Sequence, residues 1–334
     1  MKIKRAKKQF NKMLAEWQKQ TFVQLIFPHK NSDWNCCLEE ASTNFLNIIY
    51  AITPYQPCLI ICDDIKRVQS YFTTTNNIYF IEQETNDTWS RDSSVITIME
   101  NAKFKLFDFT FNGWGNKFEA TLDNSLSGRL STTNFYLDSK MQKIDFVLEG
   151  GSIESDGGGT LLTTTKCLLN KNRNPNLTKI EIETSLKNHL NVKKVLWLES
   201  GEIDGDDTDA HIDTIARFAP NNTIIYVDCD ENIENELKSF TSAQNKNYNL
   251  VALPHIEVFD EDGEALPATY ANFLIINGAV LVPIYGVDSD RVAIEIIRGV
   301  FTDRKVIAID CQTLIRQHGS LHCVTMQMYH RIIM

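Results

Sequence analysis

Near the end of the chain, Cys323 stands in the segment His318-Gly319-Ser320-Leu321-His322-Cys323-Val324-Thr325. A cysteine attacks as its thiolate, and imidazolium neighbours or backbone N–H groups at a turn favour that form. A cysteine near a histidine is more often an inert thiol, so the motif needs partners elsewhere. Three segments supply them: Trp89-Ser90-Arg91-Asp92, Glu149-Gly150-Gly151-Ser152-Ile153-Glu154 and His211-Ile212-Asp213. Each sets an ionisable side chain next to a strand-like run. With Cys323 they offer a nucleophile, a histidine, two aspartates and a glutamate.

That set suits attack on a guanidinium. Its nitrogens share a positive charge, and two carboxylates can grip them and aim the central carbon at sulfur. A histidine can protonate departing ammonia and later deprotonate the attacking water. No metal or organic cofactor is needed, because such a substrate is already an electrophilic cation. Blander readings fit the same residues. His-x-Asp on a strand puts both side chains on one face, so Asp213 fits a role that only orients the imidazole. Asp92 fits a local ion pair with Arg91. Glu149 fits an edge strand whose Gly150-Gly151 makes a bulge, and Glu154 is read as structural.

Taken in order, the motifs resemble those of the agmatine deiminases. These belong to the guanidine-modifying (pentein) superfamily, which includes bacterial peptidylarginine deiminases. The matching segments are Ala15-Glu16-Trp17, Phe27-Pro28-His29, Asn86 through Asp92 and Phe111-Asn112-Gly113-Trp114-Gly115. Glu149 through Thr165, Arg173-Asn174-Pro175, Asp206 through Asp213 and His318 through Thr325 complete the series. Together they cover nearly the whole chain.

The resemblance implies an α/β fold, a five-bladed propeller of pseudo-fivefold ββαβ units. It implies hydrolysis of agmatine to N-carbamoylputrescine and ammonia, in putrescine and polyamine synthesis, through a thiouronium on Cys323. His211 is then the acid and base, Asp92 and Asp213 are the guanidinium clamps, and Glu149 partners His211. Trp89 is expected to line the pocket and Trp114 to shape its entrance. Asp207, ahead of Asp209, is expected to receive the distal ammonium. His318 and His322 are read as stabilising a turn. A homodimer or larger homo-oligomer is also implied. Two departures stand out: Ser93-Ser94-Val95 replaces a small residue, Gly and Pro, and Met326 replaces one amide after the cysteine. An alternative is a deiminase of free or C-terminal peptidyl arginine, against which the acidic Asp204–Asp209 loop argues. A second alternative is a non-catalytic propeller serving as a binding module.

Composition narrows the field further. The chain has 334 residues and a formal net charge of −10. That sign disfavours nucleic acid and suits a small cationic substrate, although solubility alone accounts for it equally well. The eight cysteines include the adjacent pair Cys36-Cys37 and show no zinc-type spacing. They read as reduced thiols in a cytoplasmic protein. No stretch approaches a membrane span. Residues 1–13 read as a basic lead-in, 14–329 as one catalytic domain and 330–334 as a tail. Asp156 to Gly159 resembles a phosphate loop but lacks the following Lys-Ser/Thr and helix start, so a nucleotide site is rejected.

The elements that must position these residues recur. Strand, strand, helix and strand are expected over Gly159–Leu198, with strands at Thr160–Thr165 and Lys194–Leu198, a short strand between them, and a helix at Lys179–Leu190. The order recurs over Thr214–Pro254, with strand Thr223–Val227, helix Glu231–Ser242 and strand Leu250–Leu253. It recurs again over Asn272–Asp310, with strands Phe273–Ile276, Ala279–Ile284 and Lys305–Asp310 and helix Asp288–Val300. Asn277-Gly278 between apolar runs is a hairpin signal. The units start about 55 residues apart, just beyond the usual repeat periods. Phe22–Phe27, a helix near Trp34–Tyr50 and Cys58–Cys62 form a looser copy. Such units bury their faces only against neighbours, and a ring of them would bring loops distant in sequence to one axis.

Overall fold

Asn277-Gly278 behaves as its sequence requires. Gly278 adopts a φ of 75°, and strands Leu274–Ile276 and Ala279–Ile284 pair antiparallel across it. Helix Ser289–Val300 follows, and strand Lys305–Asp310 returns parallel to Ala279–Ile284. Leu274–Ile276 is buried throughout, as expected for an unbroken apolar run covered on both faces. This is a computed structural model describing residues 12–133 and 140–330. Residues 1–11 of the expected lead-in and 331–334 of the expected tail lie outside the described residues.

The same order of antiparallel pair, helix and parallel strand recurs. Strands Ala216–Ala219, Thr223–Val227 and Asn249–Leu253 enclose helix Ile233–Ser239. Strands Ile153–Ser155, Thr160–Thr164 and Lys194–Leu198 enclose helix Lys179–Leu190. Thr178 and Glu181 start that helix with a capping box, each satisfying an N–H that the first turn leaves free. The short strand expected after Thr160–Thr165 is instead Ile153–Ser155, before it. Thr165–Leu168, which follows, is a helical turn capped by the Thr164 side chain.

Of two further sheets, one goes beyond the sequence reading and the other holds the looser copy expected at Phe22–Phe27 and Cys58–Cys62, with helix Leu38–Ile52 between them. Strands Ile96–Glu100, Lys103–Thr110 and Lys140–Val147 form a fourth copy around helix Thr121–Ser131. Lys12–Met13 is added at its edge opposite Met99 and Ile98. The helix buries only Asp123, Leu126, Ser127 and Leu130, too sparse an apolar stripe to announce itself. In the fifth sheet, Phe22–Ile26, Cys58–Cys62 and Ile78–Glu82 run parallel. Thr325–Met328 joins them antiparallel to Phe22–Ile26. A strand from early in the chain and one from near its C-terminal end thus meet in one sheet, two residues beyond Cys323. A two-stranded hairpin, Val258–Phe259 with Ala265–Leu266, completes the sheets among the described residues. In those residues no helix is long and apolar enough to cross a membrane.

Candidate active site

Position 151 is where the scattered motifs meet. Glu149 leads into a 3-10 turn, Gly150–Ser152, rather than a bulged edge strand. A Cβ on residue 151 would stand 2.6 Å from His211 Nδ1 and 3.0 Å from both Asp213 Oδ2 and Asp92 Oδ1. Only a residue without a side chain leaves room for these three groups. The Gly151 N–H also donates to Asp92 Oδ1 at 2.8 Å.

Asp92 lies in the helical turn Ser90–Ser93. Its second oxygen accepts from Trp114 Nε1 at 3.0 Å. Arg91 does not pair with it. The buried Arg91 guanidinium reaches Glu16 at 3.2 Å, the His322 carbonyl at 3.3 Å and the Gln327 side chain. The local ion pair is therefore replaced by a remote one, which leaves Asp92 facing its own cavity. The Ser93-Ser94 departure does not loosen the turn. Ser93 Oγ donates to the Trp89 carbonyl at 3.3 Å, and Gln24 Nε2 donates to Ser94 Oγ at 2.7 Å. Met326 Sδ, at the other departure, lies 3.1 Å from Arg91.

His211 and Asp213 are not on a strand. His211 caps the helical turn Ile212–Ile215, yet both side chains still face position 151. His211 Nδ1 lies 3.7 Å from Asp92 Oδ1. Asp213 Oδ2 accepts from His322 Nδ1 at 2.7 Å, and Asp213 Oδ1 is buried without a protein partner, as is His211 Nε2. Glu149 is fully buried, and Arg173 Nε donates to its two oxygens at 2.8 and 3.1 Å. Glu149 hydrogen-bonds Arg173 while its carboxylate lies within 4.8 Å of a His211 ring nitrogen and raises the imidazole. Arg173 also binds Asp209 Oδ2 at 2.7 Å and the Thr208 carbonyl at 2.9 Å, anchoring the loop before His211.

Cys323 sits in a buried turn ahead of strand Thr325–Met328. Its thiol lies 3.4 Å from Asn272 Oδ1 and 4.0 Å from Asp213 Oδ2. Asn272 Oδ1 also accepts the backbone N–H groups of His322 and Cys323, at 2.8 and 3.3 Å. His322 does more than stabilise a turn: its Nε2 reaches Glu16 Oε1 at 2.8 Å while Nδ1 holds Asp213. Asn272, Cys167 and His322 were missed as site residues, and no local pattern marks Asn272. Glu16 and Arg173 lie in motifs that were noticed without a role.

A cavity of about 240 Å³ opens over this cluster. Cys323, Asp92, Trp89, Trp114 and Asp207 are on its wall, while His211, Asp213 and Glu149 lie buried behind it. Trp89 packs flat enough on Gly319 that a Cβ there would come within 2.1 Å of the ring. Asp33, Asp87, Glu119 and Asp123 add further carboxylates, and His318 is the sole basic side chain on the wall among the described residues. Asp209 is occupied by Arg173 and Lys117, so Asp207 is the carboxylate of that loop facing the cavity.

Residues 12–328 match the Porphyromonas-type peptidyl-arginine deiminase family. The chain belongs to that family. A Streptococcus mutans protein provisionally named an agmatine deiminase is 31% identical, with 95% of each chain covered. A solved Porphyromonas gingivalis structure, provisionally named an arginine deiminase, is 44% identical, with 97% of this chain and 100% of that chain covered and a TM-score of 0.91. A cysteine-to-serine variant of a C. jejuni agmatine deiminase, solved with substrate bound, is 37% identical, with 97% and 98% covered and a TM-score of 0.90. A dimethylarginine dimethylaminohydrolase, 13% identical with a TM-score of 0.53 over 92% of this chain and 99% of that one, shares the mixed α/β fold.

Electrostatics in this deiminase-family site follow from burial. Burial pushes the Cys323 thiol well above its usual pKa, and the Asp213 and Asp92 carboxylates push it further. Burial works to lower His211, but Asp92, Cys167 and Glu149 outweigh it and hold the imidazole well above its usual range. Asp92 is raised by burial, with the Asp213 charge adding to it against His211. Burial would raise Asp213 too, but His322, His211 and Arg217 bring it below its usual value. Burial and neighbouring charge thus favour the protonated form of both the Cys323 thiol and the His211 imidazole. Glu149, Cys167 and His211 bring ligand atoms within 4.8 Å of one another. Arg173 already occupies both Glu149 oxygens there, and its charge opposes a cation.

Gly151→Ala is expected to lower kcat/KM by about a hundredfold, since displacing the His211, Asp213 and Asp92 side chains of the candidate site by ångström-scale distances costs that much. Steady-state kinetics, with circular dichroism to confirm folding, check it. Removing the Asp213 charge withdraws one cause of the raised Cys323 pKa. Asp213→Asn is therefore expected to shift the pH midpoint of Cys323 alkylation downward in the substrate-free protein, followed on the Cys323 peptide by mass spectrometry.

Proposed function

We propose that the chain hydrolyses agmatine to N-carbamoylputrescine and ammonia, with Cys323 as nucleophile. The observation that carries this reading is the cavity wall: a thiol at its floor, carboxylates around it, and neither Lys nor Arg among its described residues. A substrate cationic at both ends suits such a wall, whereas an arginine carboxylate finds no paired cation there. The substrate-bound C. jejuni agmatine deiminase supports the same reading.

The guanidinium lies between Asp92 and the unpartnered Asp213 Oδ1, each accepting its N–H groups. Its positive charge offsets the two carboxylates that raise the Cys323 pKa, so substrate binding favours the thiolate, and the thiol proton passes to solvent. Sulfur attacks the central carbon, and His211 gives its proton to the nitrogen that departs as ammonia. The C–N bond breaks and a thiouronium remains. His211, now neutral, takes a proton from water as water attacks the same carbon. The C–S bond then breaks as the hydroxyl proton of the tetrahedral adduct passes to sulfur, releasing the urea product and leaving Cys323 as the thiol and His211 protonated. Glu149, held by Arg173, stabilises the charged form of His211. Trp89 and Trp114 confine the alkyl chain, and Asp207 receives the distal ammonium.

The scaffold in this reading is a five-bladed propeller in one domain, residues 14–329. Five sheets that each contain an antiparallel pair and a parallel strand, the fifth joining Thr325–Met328 to Phe22–Ile26, support it. The P. gingivalis likeness favours free or peptidyl arginine as the alternative substrate.

Ammonia release from agmatine, free arginine and an arginine-ending peptide separates the two. Agmatine is expected to be the preferred substrate, with turnover abolished in Cys323→Ala. Preference for either arginine substrate transfers the same chemistry to the alternative, and a folded protein inert to all three removes both. Asp207→Asn is expected to raise the KM for agmatine about tenfold with little change in kcat, the size of one charge-assisted hydrogen bond.

A further inference from the structure

Cys36 and Cys37 lie outside the catalytic cluster, at the junction of the 3-10 turn Asp33–Cys36 and helix Leu38–Ile52. Cys36 is exposed and Cys37 half-buried. Their sulfurs are 3.3 Å apart. The pair is wired to the cavity mouth. Gln317 Nε2 donates to the Asp33 carbonyl at 3.0 Å and to Cys36 Sγ at 3.7 Å, and the Cys36 thiol points at the same carbonyl at 3.6 Å. Asp33 and Gln317 both stand on the cavity wall.

Two chemistries are open to such a pair. A direct disulfide is disfavoured, because adjacent residues hold their Cα atoms about 3.8 Å apart across a trans peptide, less than the roughly 4.4–6.8 Å that disulfides usually span. A single soft atom bonded to both sulfurs avoids that contraction. With bonds of about 2.3 Å, as in zinc thiolates, it bridges sulfurs separated by roughly 3–4 Å. The observed separation already falls in that range.

We propose that Cys36 and Cys37 form a chelating dithiol site for trivalent arsenic, as arsenite or an organoarsenoxide, and that its occupancy alters the mouth of the active-site cavity. With an arsenoxide the step is a condensation. Two As–S bonds form, the As=O bond breaks, and the two thiol protons leave with the oxygen as water. Nothing is oxidised or reduced. The bridged Cys36 sulfur can no longer keep its contacts to Gln317 and Asp33 unchanged, so the wall residues move with it. This goes beyond the deiminase reading and does not depend on which guanidine is turned over.

The test treats the full chain with phenylarsine oxide and then washes it with excess 2-mercaptoethanol, which strips arsenic held by one thiol, including any on Cys323. Intact mass is expected to show one phenylarsenic unit retained, released by 2,3-dimercaptopropanol, and absent in Cys36→Ser and in Cys37→Ser. The loaded wild-type chain is expected to show a severalfold higher substrate KM, restored by the dithiol, while both serine variants keep the untreated KM. No retained arsenic, or equal retention in both variants, overturns the site. Retention with an unchanged KM overturns its link to the cavity.

Discussion

Charge that has lost its water governs this molecule. Asp92, Glu149 and Asp213 are buried around Gly151, and an ion removed from water costs several kcal/mol unless close partners replace the hydration. The chain supplies those partners from far away. Arg173 takes Glu149, His322 takes Asp213, and Gly151 with Trp114 takes Asp92. The compensation is deliberately incomplete in one sense: Asp213 Oδ1 has no protein partner. In the proposed function, a cation with N–H groups completes the set.

Behind this cluster a second layer fixes its geometry. Glu16, from the start of the described chain, meets Arg91, Arg217, His322 and Gln327. Its carboxyl is held well below the usual range because Arg217, His322 and Arg91 outweigh its burial. Through His322 this layer orients Asp213, and through Arg91 it orients the turn that carries Asp92. The strand pairing of Thr325–Met328 with Phe22–Ile26 brings the segment carrying Cys323 and His322 next to Glu16. That strand pairing and the site's electrostatics are thus parts of one constraint.

The legible parts of the site were those where residue type alone restricts the chemistry. Cys323, His211, Asp92, Asp213 and Glu149 were all named from their motifs, and all lie within one small region. Their pairings were less legible. Adjacency suggested that Arg91 neutralises Asp92, but a four-residue helical turn points the two side chains in different directions. His-x-Asp suggested a strand, but the residues occupy a cap and a helical turn. Both arrangements put the side chains where the chemistry needs them, so the motif did not discriminate between them. Asn272 had no signal, because a single amide at a hairpin entrance looks like any turn residue.

For the fold, local pattern was enough where it was strong. The Asn277-Gly278 hairpin and the helices Lys179–Leu190 and Ser289–Val300 follow from turn chemistry and periodicity acting over a few residues. The sheet around Ile96–Val147 and the strand Thr325–Met328 were decided by tertiary structure. The first surrounds a helix with a weak apolar stripe, and the second is a strand only because Phe22–Ile26 offers it an edge. The same division holds for function. Sequence by itself determined which reacting groups exist, since a thiol, an imidazole and carboxylates are properties of residues. Only the tertiary structure decided which of them lose their water and which partner each receives, and burial and distance set their charge states.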